Sequence, residues 1–63
     1  MGESIKLGDT VRDAVTGLVG VVTARCEYMY GITRVLVQPP LDKDGKMPDE
    51  VWFDEPRLVK VDA

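Results

Sequence analysis

The chain has 63 residues, with 11 acidic against 8 basic side chains, a single cysteine and no histidine. A chain this short buries only about 60% of its unfolded surface, and one core of this size leaves a margin of no more than about 3–5 kcal/mol. One cysteine excludes an internal disulfide, and the lack of histidine removes the commonest acid–base group of neutral pH and a frequent metal ligand.

The net charge of −3 disfavours a nonspecific grip on nucleic-acid phosphates. No apolar run reaches the length of about 18 residues that suggests a membrane span. The start M-G-E-S-I-K lacks the basic and apolar regions of a signal peptide. Position 6 is Lys6 where a myristoylation motif wants Ser or Thr. These features suit one domain over 1–63 in a reducing cytoplasm.

In chain order, a polar start gives way to structure near Ile5 or Leu7, and Gly8-Asp9 reads as a turn. A first strand is expected over 10–15, with Val11 inward, ended by a turn at Val15-Thr16-Gly17. A long second strand is expected over 18–29, bent at Gly20, where both faces turn apolar. From Val22 onward it alternates. Val22, Ala24, Cys26 and Tyr28 fall on one face, and Thr23, Arg25, Glu27 and Met29 on the other. A hairpin at Tyr30-Gly31, or a four-residue loop over 29–32, sets Cys26 opposite Val35, Ala24 opposite Val37, and Glu27 beside Arg34.

Pro39-Pro40 ends the third strand, because proline cannot donate to a ladder. A loop follows over 41–48. A fourth strand over 50–54 places Val51 and Phe53 on one side and Trp52 on the other. A 3-10 turn over 54–57 leads to a last strand over 58–61, with Val59 and Val61 expected inward. The fold expected is all-β: a small five-stranded SH3-like antiparallel barrel with a short 3-10 turn before its last strand.

Gly8-Asp9-Thr10-Val11 followed by Gly17-Leu18-Val19-Gly20-Val21-Val22 resembles the KOW motif of SH3-like barrels in ribosomal and transcription proteins. KOW domains that bind RNA usually carry basic residues between those glycines, and here Leu18 and Val19 stand there. A longer resemblance, through L-G-D-x-V-R-D-x-V-T-G, T-A-R-x-E-Y, V-Q-P, D-G-K-M-P and W-F-D-E-P-R-L, is to a family of small proteins from bacteriophages and prophages. That resemblance implies a phage or mobile-element origin, action in the bacterial host's cytoplasm and no catalytic residue.

Asp42, Asp44, Asp49 and Glu50 crowd one loop. Aligned on Gly45, an EF-hand pattern puts Pro40 at its first position and Val51 at its twelfth, so the calcium pattern fails at both ends. The loop reads as a solvated D-G turn, and no metal or other cofactor is called for. Cys26 has no histidine to activate it, and its alternation assigns it to the core. No catalytic constellation is present, so the chain reads as a binding protein and not an enzyme.

Arg25, Glu27 and Arg34 form the outward face expected for the central hairpin, with Tyr30 at its tip and Trp52 on a neighbouring strand. Arginines beside aromatic rings are common material of recognition sites, and these five residues are the candidate binding set. The plainer reading of the same residues is an ordinary charged outer face. Val19, Val21, Ile32 and Leu36 are left partly outside the barrel and are the candidate seam of a homo-oligomer.

Three functions compete. The first is a phage factor against host defence, which blocks a host protein or sequesters a small nucleotide-like ligand between subunits. The second is a KOW-type partner of nucleic acid or a transcription complex. The third is a small structural or assembly component of the virion.

Overall fold

The computed structural model of the chain describes residues 5–61, and the expected polar start over 1–4 lies outside the described residues. Five strands form: β1 (Thr10–Asp13), β2 (Val19–Cys26), β3 (Arg34–Gln38), β4 (Val51–Asp54) and β5 (Leu58–Lys60), with a 3-10 turn over Glu55–Arg57 between the last two. All neighbours are antiparallel in one sheet of order β4-β3-β2-β1-β5. No α-helix occurs among the described residues. The all-β architecture and its closing 3-10 turn are those expected.

The connection between β4 and β5 dictates curvature. These strands occupy opposite edges of the sheet, yet three residues join them. In a flat sheet the edges would stand about 19 Å apart, at about 4.8 Å per strand. Three residues of 3-10 helix rise only about 6 Å. The sheet must therefore curl until its edges approach, as in a small barrel. Inside lie Ile5, Val11, Val22, Val35, Val37, Phe53 and Leu58, with Leu18 packed against them.

Gly20 has a different role from the bend expected of it. It pairs with Val11 on the inner face. A Cβ placed there would stand 2.6 Å from the Gln38 carbonyl oxygen and 2.7 Å from Val37 Cγ1. The glycine lets β3 cross closely over β2.

Asp13 is the buried charged residue of the barrel, with none of its surface exposed. The Arg57 guanidinium donates to both carboxylate oxygens, at 2.9 Å from Nε and 2.8 Å from Nη2. The Thr16 amide and hydroxyl donate to Oδ2 at 2.9 and 2.6 Å. The Arg57 guanidinium also lies 5.3 Å from the centre of the Phe53 ring. This network ends β1 at Asp13, two residues before the expected end. The chain turns through Thr16, the Gly17 amide donates to the Asp13 carbonyl at 2.8 Å, and Gly17 takes a φ of 80°.

Two further expectations are corrected. Val59 and Val61 face outward, because Leu58 takes the inward place directly after the 3-10 turn and alternation follows from it. β2 stops at Cys26 and β3 starts at Arg34, so the connection covers 27–33 and is longer than the loops expected.

Gly20→Ala forces a methyl group against backbone and should cost about 1–3 kcal/mol, read as a lower urea midpoint. A midpoint equal to the unmutated protein's would contradict the close crossing. Asp13 gives a pH test. The bond from Arg57, helped by those from Thr16, outweighs burial and holds its carboxyl well below the ordinary 3.8. The unfolded chain binds this proton more readily, so the stabilisation is complete above about pH 4 and declines as the pH falls. Asp13→Asn should be less stable than the unmutated protein at pH 7 and lose less between pH 5 and pH 2. Parallel melting curves for the two proteins would contradict this account.

Candidate functional site

The geometry of the outer surface follows from one extra residue. β2 and β3 pair Val21 with Gln38 and Val22 with Val37, then Ala24 with Leu36, Arg25 with Val35 and Cys26 with Arg34. Thr23 is inserted between the two registers as a β-bulge. Its hydroxyl donates to Glu50 Oε2 at 2.7 Å, beside β4. Past the bulge the faces of β2 exchange. Arg25 joins Val35 on the inner side, while Ala24 and Cys26 move outward.

This corrects the expected pairing of Cys26 with Val35 and Ala24 with Val37. Cys26 is half-buried on the outer face and is not a core residue. The neighbouring Cys26 thiol holds the Tyr28 phenol above its ordinary range. It also corrects the common face expected for Arg25, Glu27 and Arg34. Arg25 reaches inward across the barrel's end. Its Nη1 donates to Glu55 Oε2 at 2.6 Å and to the Ile5 carbonyl at 2.5 Å. Glu27 accepts from the same guanidinium at 3.1 Å instead of facing Arg34. The Glu55 and Glu27 bonds raise the Arg25 pKa further, so its charge is fixed.

Arg34 stays outside, paired with Asp54 at 3.2 Å on β4. Trp52, half-exposed, stands opposite Leu36 on the same face. Tyr30 is 95% exposed in the 27–33 connection. The structure thus groups Arg34, Leu36 and Trp52 and separates them from Arg25 and Glu27. Of the candidate seam, Val19 and Val21 lie together on β2, 40% and 43% exposed, and Leu36 is half-buried further along. Ile32 lies instead in the tip with Tyr28, Met29 and Tyr30, where no charged residue occurs over 28–33.

Beside Val19 and Val21 runs a groove of about 510 Å³. Its opposite wall is Pro39, Pro40, Leu41 and Met47, and no charged side chain lines it. Gln38 fixes that wall by donating its amide to the Pro39 and Pro48 carbonyls at 3.0 and 2.9 Å. Sequence reasoning treated this segment only as a polar loop. The available signal was the pair Leu41 and Met47, one at either end of the turn. Between them Asp42 Oδ1 accepts from the Asp44 and Lys46 amides, both at 2.9 Å, and Gly45 takes a φ of 79°. That carboxylate builds the turn.

No family model, curated protein or solved structure matches the chain. Among the described residues no group of acids and cysteine is arranged to hold a metal ion, and no helix is long and apolar enough to cross a membrane.

The bulge is testable through the one thiol. Cys26 should label with a maleimide in native buffer without denaturant. Labelling that requires urea would restore the unbulged register, with Cys26 in the core.

Proposed function

We propose that the chain is a non-catalytic docking module that binds and occludes a protein of a bacterial host, acting in the cytoplasm as a phage or prophage factor. The observation that supports this reading most is the state of the arginines. Three of the four arginines, Arg25, Arg34 and Arg57, are each bonded to a carboxylate of the same chain, and the fourth, exposed Arg12, lies on β1, three strands from Trp52. A nucleotide-like ligand would need free forks for its phosphates. The outer face offers instead Trp52 and Leu36 beside a paired Arg34, and tryptophan with arginine is typical of protein hot spots. The resemblance to small phage proteins supplies the biological setting. The KOW-type reading is weaker on the same surface, since Leu18 packs against the core and Val19 faces the groove.

A photoreactive amino acid in place of Trp52, expressed in the bacterial host, should give one discrete adduct with a host protein. The same group in place of Lys43 should give none. Equal adducts at both positions would contradict the proposal. So would binding of nucleotides or RNA tighter than about 10⁻⁶ M, the tight end of nonspecific affinity.

A further inference from the structure

We propose that the groove beside Val19 and Val21 receives the 27–33 tip of a second copy of this chain, and that the exchange is reciprocal. The inference rests on the docking reading above and names the first protein that the outer face takes. The described residues carry a convex apolar tip and a concave apolar groove, and the tip residues do not line the groove of their own molecule. The tip presents Tyr28, Met29, Tyr30 and Ile32 without a charge among them. The groove is lined without a charge as well. Its two strongest polar side chains are satisfied: the Gln38 amide donates to Pro39 and Pro48, and the Thr23 hydroxyl bonds to Glu50. Inserting the tip therefore strands no buried charge, and the Tyr28 and Tyr30 hydroxyls need only reach the rim of the groove.

Size and position agree. A groove of about 510 Å³ lies within the range of about 300–1,000 Å³ that holds a compact group of side chains or a small ligand. Tyr28 and Tyr30, 53% and 95% exposed, together offer about 300 Å² at about 200 Å² per ring. Two tips, with the groove walls that they cover, bring the total to about 1,200 Å². That reaches the lower bound of stable interfaces. Val21 and Cys26, five residues apart on β2, stand about 17 Å apart along the strand, and the tip follows directly after Cys26. A two-fold axis near the end of β2, between groove and tip, satisfies both contacts at once, as a closed isologous dimer requires. At that end of β2 the outer face carries Ala24 and Cys26, small side chains that allow close approach. Trp52 stands two strands away from Ala24 on β4, beyond Leu36, and carries the host contact.

Light scattering at tens of micromolar should give twice the 7.0 kDa chain mass. Met29→Glu in the tip and Val21→Glu in the groove should each return it to the monomer, with the circular dichroism of a folded chain. In the unmutated protein a short bis-maleimide should join Cys26 of the two copies, and Met29→Glu should abolish the product. A photoreactive group in place of Tyr30 should map to the partner copy's 39–47 segment. A 7.0 kDa mass for the unmutated protein overturns the proposal, as does a dimer that both variants leave intact. An adduct from position 30 to a host protein in place of a second copy overturns it too. The Trp52 adduct separates the two readings. A monomer that still forms it removes the exchange alone, and loss of both removes the docking reading as well.

Discussion

Thr23 is the residue on which the outer surface depends. As one extra position in β2 it shifts the pairing with β3 by a residue, and every side chain beyond it changes face. Before it, Val22 points into the core and Val21 outward. After it, Arg25 points inward and Cys26 outward. The insertion lets a charged residue stand where the barrel's end meets the 3-10 turn. There Glu55 and the Ile5 carbonyl receive it. Without the bulge, Arg25 would face solvent and the N-terminal segment at Ile5 would lose that tie.

A second charged pair does comparable work at the opposite edge. Asp13 and Arg57 join β1 to the turn that precedes β5, and the guanidinium covers Phe53. A buried carboxylate is costly unless its oxygens are bonded, and here both accept from Arg57 while Thr16 adds two further donors to one of them. The 3-10 turn thus carries two anchors, Glu55 toward β2 and Arg57 toward β1. These hold the two sheet edges close around the seven buried apolar side chains found among the described residues. A chain of this length has little apolar surplus, so specific polar ties bear much of the closure. The same ties engage two of the four arginines with carboxylates of the chain itself.

Much of the fold was legible in the residues. Val11, Val22, Val35, Val37 and Phe53 alternate as a buried sheet face should, and the E-P-R turn before the last strand was visible from its proline. The bulge was not. Val22, Ala24, Cys26 and Tyr28 form an unbroken alternation, and threonine is an ordinary strand residue, so nothing local marks Thr23 as extra. What fixes it is tertiary: Glu50, 27 residues away, holds its hydroxyl. The candidate site inherited that error, because Arg25 and Arg34 share a face only in the unbulged register. The groove was missed for a related reason. Its far wall is a loop whose apolar ends, Leu41 and Met47, come together only after Asp42 folds the turn and Gln38 clamps its flanks.

Face assignment therefore underlies both the fold and the proposed contacts, and it has a direct measurement. Antiparallel neighbours give strong Hα–Hα or amide–amide nuclear Overhauser effects across the ladder. In a nitrogen- and carbon-labelled sample, Arg25 should show cross-strand contacts to Val35, and Cys26 to Arg34, with Thr23 lacking a paired partner. Cross-peaks that instead join Cys26 to Val35 and Ala24 to Val37 would show an unbulged strand and would contradict the assignment of the outer face.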